Sequence, residues 1–175
     1  MAFNVKDEGG QFEQPPTGMQ PAVCCSVIDL GIQEGFQGKP THKAVLVFEL
    51  AERRMEGAFK DTRFTVSKTY TASLNEMANL SKDLEAWRGK PFTPEERAGF
   101  DLEKLAGANA TLNLVEKANQ SGRRFVTIAS INPKLKAVEE MKAEQPGFVP
   151  KWVKDLLEKS HQPSEPAGSD EDIPF

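Results

Sequence analysis

Between residues 19 and 132 the apolar residues of this chain change their spacing twice, and that change limits the available folds more than any single motif does. Side chains alternate between faces with period two along a strand, and recur on one face every three to four residues along a helix. From Met19 the spacing is strand-like: Ala22, Cys24, Ser26, Ile28 and Leu30 alternate with Val23, Cys25, Val27 and Asp29. Gly31, Gly35, Gly38 and Pro40 then mark a loop over residues 31–41. A second strand follows at His42–Leu50, with Ala44, Leu46, Phe48 and Leu50 on one face and Lys43, Val45, Val47 and Glu49 on the other. Residues 51–61 are charged and irregular. A third strand, Arg63–Thr71, is rich in β-branched and aromatic side chains.

The period then switches. Ser73 and Glu76 have capping-box spacing, and Leu74, Met77, Leu80, Leu84 and Trp87 recur as on an amphipathic helix that Gly89 ends. Thr93-Pro94-Glu95-Glu96 predicts a second helix start, and Asp101 to Leu105 a further helical turn. Period two returns at Asn109–Lys117. A turn at Asn119-Gln120-Ser121-Gly122 leads into a fifth strand, Arg123–Ile131, which Asn132-Pro133 ends. Helical segments are expected near Leu135–Ala143 and Pro150–Lys159, the latter with Trp152, Val153, Leu156 and Leu157 on one side.

The order is β-β-β-α-β-β in a mainly β chain with helices. This is the connectivity of the OB-fold, a five-stranded, partly open Greek-key barrel. Immunoglobulin-like sandwiches carry more strands and no such central helix. The expected organisation is a flexible N-terminal arm over residues 1–18, an OB-fold domain over 19–132, a C-terminal helical extension over 133–160 and a disordered acidic tail over 161–175.

Charge is unevenly placed. The net charge is −4, yet residues 161–175 hold Glu165, Asp170, Glu171 and Asp172 and no Lys or Arg. Without those four, 22 acidic residues face 22 basic ones, so the body is neutral and can still carry a local basic groove. No apolar run approaches the roughly 18 residues of a membrane-spanning helix. The N-terminus lacks a secretory leader, so the expected location is the cytoplasm, that of the host cell if the chain is phage-encoded. Cys24 and Cys25 are adjacent and point to opposite faces of a strand, which favours two reduced thiols over a bridge or a metal pair. His42 and His161 have no ligand spacing, and neither a metal nor a cofactor is expected.

Two sets of residues suggest binding. The chain closes on Asp170-Glu171-Asp172-Ile173-Pro174-Phe175, which offers carboxylates, an aromatic anchor and a terminal carboxylate to a basic, apolar pocket on a protein partner. In the body, cations fall where an OB-fold meets a single strand, across strands two and three and at the first and last hairpin loops. Lys39 and Lys43 belong to the first loop and strand two, and Lys60, Arg63 and Lys68 to strand three and its approach. Lys117, Arg123 and Arg124 flank the last hairpin. Tyr70 is the leading candidate for base stacking, with Phe64, Phe36 and Phe125 behind it, although alternation with their neighbours favours core packing at Phe64 and Phe125. Trp87 is expected in the core.

The terminal hexapeptide resembles the C-terminal tip of bacterial single-stranded DNA-binding proteins. Over roughly residues 20–132 the body resembles a phage or prophage family of single-stranded DNA-binding proteins. The resemblance lies in Ser67-Lys68-Thr69-Tyr70-Thr71 with Ser73, and in Leu84-Glu85-Ala86-Trp87-Arg88-Gly89-Lys90-Pro91-Phe92 running into Thr93-Pro94-Glu95-Glu96. Phe100-Asp101 and Leu105-Ala106-Gly107 complete it. It implies an OB-fold core, sequence-tolerant binding of single strands, and a part in phage DNA replication, recombination or repair. Homo-oligomerisation is open. No phosphate-binding loop, nucleophile elbow, paired-histidine motif or dinucleotide fingerprint argues for an enzyme. The alternatives are an OB-like protein adaptor that binds no nucleic acid, and a recombination mediator that anneals strands.

Overall fold

The computed structural model describes residues 13–161. Its strands are β1 (Gly18–Glu34), β2 (Pro40–Arg53), β3 (Arg63–Thr71), β4 (Asn109–Ala118) and β5 (Arg124–Asn132). Three α-helices join them: α1 (Asn79–Arg88), α2 (Pro94–Ala98) and α3 (Lys151–His161). All five strands form one antiparallel sheet in the order β3-β2-β1-β4-β5.

β1 is the strand both halves of the sheet share. It pairs with β2 over nearly its full length and with β4 from Gly18 to Val23. Two irregularities interrupt its pairing with β2: Cys24 faces Phe48 while Ser26 faces Val47, and Asp29 faces Ala44 while Gly31 faces Lys43. An extra residue on one strand bends it and increases its twist. The sheet accordingly curls and brings its outer strands, β3 and β5, near one another without pairing them, with α1 against both. The bulges also reset the alternation, so that Ala22 and Cys24 face the inner core while Cys25 and Leu30 face the other side. The loop expected at 31–41 is therefore shorter than its glycines suggest. Gly31, with φ of 65°, follows a bulge inside β1 rather than ending the strand.

The inner core unites Leu46, Phe48 and Leu50 of β2 with Phe64 and Val66 of β3, Leu112 and Leu114 of β4, and Leu80, Leu84 and Trp87 of α1. Trp87 packs its ring 5.5 Å from Phe48 and donates its indole N–H to the Asn109 carbonyl at 2.8 Å. Helix α1 begins six residues later than Ser73. The Ser73 hydroxyl accepts the Asn75 amide, and the Asn75 side chain accepts the Met77 amide, so these short polar side chains build turns that compete with the first helical turn. Met77 is left 76% exposed. The capping box of Thr93 and Glu96 does form, and opens α2.

The segment expected as a helix over Leu135–Ala143 is not one. Backbone groups after Met141 are held from the sheet instead, in a conformation no helix supplies. The Asn109 side chain bonds both the carbonyl and the amide of Met141, at 2.9 and 2.7 Å. Glu49, expected on the strand face opposite Leu46, Phe48 and Leu50, is 2% exposed. Its carboxylate accepts the amides of Glu144 and Gln145, each at 2.9 Å, and a guanidinium N–H of Arg63 at 3.3 Å. Gly147 and Phe148 are tied to Cys25 and Ser26. Beyond these stitches Phe148, Val149, Val153, Leu156 and Leu157 pack on Cys25, Leu30, Val45 and Val47. The β1–β2 region is thus buried on both faces. Trp152, on the same helix, stays 45% exposed rather than docking.

Cys24 and Cys25 are free and buried on opposite sides. Burial raises their pKa values to about 12 and about 11, so neither is a ready thiolate. Among the described residues no helix is long and apolar enough to cross a membrane.

Candidate nucleic-acid interface

The strand registers place the expected cations at opposite ends of the sheet. Glu34 pairs with Pro40 at one end, next to Lys39 and Lys43. Arg53 pairs with Arg63 at the other. Ala22 faces both Leu50 and Ala110, so the β2–β3 loop with Lys60 and the β4–β5 hairpin with Lys117, Arg123 and Arg124 leave the sheet at that second end. Lys39, Lys60, Lys117, Arg123 and Arg124 are exposed, and Lys43 is half-buried. Arg124 lies 3.6 Å from Glu116.

Lys68 and Tyr70 point inward. The Tyr70 hydroxyl donates to the Asp83 carboxylate at 2.7 Å, and the Lys68 ammonium donates to the same oxygen at 2.8 Å. That ammonium also sits 5.3 Å from the centroid of the tyrosine ring. The three groups clamp α1 onto β3. Tyr70 is 3% exposed, and burial pushes its hydroxyl pKa far up. Phe64 is 4% exposed with the Arg54 guanidinium stacked on it at 5.1 Å. Neither ring offers a face to a base: for Phe64 this is the core packing that its alternation favoured, and for Tyr70 it runs against the stacking expectation. The reason is register: both alternate with outward-facing residues and fall on the core side. Phe125 is 41% exposed, and the Phe36 side chain lies outside the described residues.

What the sequence reading missed is a cleft at the Arg63 end. It has a volume of about 340 Å³ and lies between the β2–β3 loop, the foot of β3 and the start of α3. Four cations line it, Arg54, Arg63, Lys151 and Lys154, together with the rings of Phe59 and Phe148. No lining residue is acidic. Phe59 is 62% exposed, presented by a loop whose ends are fixed. Arg54 secures that loop by donating to the Thr62 hydroxyl at 3.1 Å and the Arg63 carbonyl at 2.8 Å. Arg63 is anchored by Glu49 and by the Lys142 carbonyl, and Arg54 by the loop it secures, which leaves the exposed Lys151 and Lys154 as the more available charges. The signal was present in the sequence as Phe59 among Arg53, Arg54 and Lys60, and as Lys151 and Lys154 on the polar side of an amphipathic helix.

Two other cavities contrast with it. One, of about 610 Å³ at the opposite end of β3, is lined mainly by hydroxyl and amide side chains, with Met77 and Ala78 beside them and Lys43 its single charge. The other, of about 300 Å³, carries Asp29, Asp101 and Glu103 beside His42, a wall that repels phosphate. Among the described residues no three His, Cys, Asp or Glu side chains gather as metal ligands. The terminal residues Asp170, Glu171, Asp172, Ile173, Pro174 and Phe175, with nearly all of the tail expected to be disordered and most of the arm expected to be flexible, lie outside the described residues. The chain matches no protein-family model and no curated protein.

Proposed function

We propose that this chain binds single-stranded DNA with little sequence preference. The observation that carries the reading is the acid-free cleft that sets Phe59 and Phe148 among Arg54, Arg63, Lys151 and Lys154. Single-strand sites pair cations for the backbone with aromatic faces for the bases, and stacking tolerates any base. The strand order β3-β2-β1-β4-β5, with β1 shared and α1 between β3 and β4, supports reading the sheet as an OB-type barrel open between β3 and β5. In this proposal the protein protects single strands in phage DNA replication, recombination or repair, and the tip Asp170–Phe175 recruits a replication or repair protein. It assigns the chain no catalytic step.

Fluorescence anisotropy of a labelled dT oligonucleotide of about 30 bases tests it, with duplex and rU of equal length alongside. The expected result is binding to dT over duplex, weakening with salt by a slope of about 0.7 per phosphate contacted. Absence of binding at low salt removes the proposal and leaves the protein-adaptor reading. Accelerated pairing of complementary strands by the bound protein would move it to an annealing factor.

A further inference from the structure

We infer that the single strand runs lengthwise along the outer face of β3, with the C-terminal segment as one wall of its groove, instead of crossing the middle of the sheet. The inference rests on the single-stranded DNA reading and adds the path and a new binding element.

The middle of the outer face is closed. Val45, Val47 and Glu49 of β2 are fully buried beneath the segment that Glu49 itself anchors. Their direct partners on β3 are Thr69, Ser67 and Thr65, which share that outer face. These three are half-buried or exposed, as is Thr71 beyond them, while the alternate residues Phe64, Val66 and Tyr70 are buried in the core and Lys68 turns inward to Asp83. The outer face of β3 from Thr65 onward is therefore a row of four hydroxyls, with no charge and no bulky group. The row is about 20 Å long at the usual strand rise.

The row joins two cavities that looked separate. Thr65 lines the cation-aromatic cleft, Thr69 and Thr71 line the larger polar cavity, and Ser67 stands between them. Cations mark both ends, Arg54, Lys151 and Lys154 at one and Lys43 at the other, and neither cavity has an acidic wall. Hydroxyls and cations are the groups that bind phosphate oxygens without reading sequence. Lys151 and Lys154, near the start of α3, are thereby part of the groove, and the β4–β5 hairpin lies off it.

Three variants and one mutation-free measurement test the path with the full chain and labelled dT. Lys151→Glu/Lys154→Glu is expected to weaken binding at least tenfold at low salt, and Ser67→Glu to weaken it comparably. Lys117→Glu/Arg124→Glu is expected to change it less than threefold. Unfolding midpoints identify any variant whose loss reflects misfolding. Photocrosslinking of wild-type protein to 5-bromodeoxyuridine oligonucleotides is expected to mark peptides spanning 59–71 and 148–154. Wild-type binding with crosslinks confined to 117–125, or binding unaffected by the Lys151/Lys154 and Ser67 changes, overturns the path and leaves the functional reading standing. Wild-type protein that binds no single strand overturns both.

Discussion

The two faces of β3 divide their work against the character of their residues. The inner face carries Phe64, Lys68 and Tyr70, the side-chain types that stack bases and pair phosphates, and uses them for a core and a clamp on α1. The outer face carries Thr65, Ser67, Thr69 and Thr71, ordinary strand formers, and leaves them open between two cavities with cationic ends. Residue type alone does not report role. The face does, and on a strand the face is fixed by register.

Four substitutions and a pH series press on that contrast. Phe64→Ala should lower stability by about 4 kcal/mol, the cost of emptying a large core site, measured as the loss of unfolding free energy in urea. If the protein instead keeps its stability and loses DNA affinity, the inner face is functional and the division fails. Glu49→Ala should cost about 3 kcal/mol, because it leaves the Glu144 and Gln145 amides without their buried acceptor and removes one of the partners of Arg63. Hydrogen exchange should then rise first in residues 141–157, which would separate the stitched outer layer from the apolar inner one. Phe59→Ala should weaken binding of dT by about 2 kcal/mol with an unchanged urea midpoint, since the ring packs on little but would stack a base. Tyr70→Phe should cost about 1 kcal/mol of stability, the hydrogen bond to Asp83, and leave affinity for dT intact.

The smallest effect is expected from pH. The hydrogen bond and charge of Arg53 hold the Glu144 carboxyl below its ordinary value, and the Gly31 amide followed by His42 does the same for Asp29. A carboxylate whose folded pKa is depressed contributes stability above its unfolded pKa and loses it as pH falls through the folded one. Urea midpoints should therefore decline below the ordinary carboxylate range, and Glu144→Gln should reduce that decline. Both groups are largely solvent-screened, so the change should be small.

Much of the architecture was legible. The two switches of period gave five strands and a helix in the right order, and Trp87 was readable as core from its place on the α1 stripe. The Thr93 and Glu96 box opened its helix because Pro94 sits at the first helical position. The identical spacing at Ser73 and Glu76 failed because Asn75 offered the backbone a competing turn. Lys68 and Tyr70 were rightly placed on one strand face, but the sequence did not say which face α1 would cover. The cleft was harder still. Phe59 and Lys154 are separated by most of the chain, and neither stretch alone resembles a site.

By itself, then, the sequence determined which side chains travel together, since alternation, helical stripe and terminator glycines are local consequences of backbone geometry. It did not determine which set meets water. Val45, Val47 and Glu49 read as a half-polar face until residues more than ninety positions later in the chain cover them. Apolar burial is non-directional and leaves no local trace of its eventual partner. Only the docking of the C-terminal segment on β2 closed one route across the sheet and left the β3 row and the Phe59 cleft open.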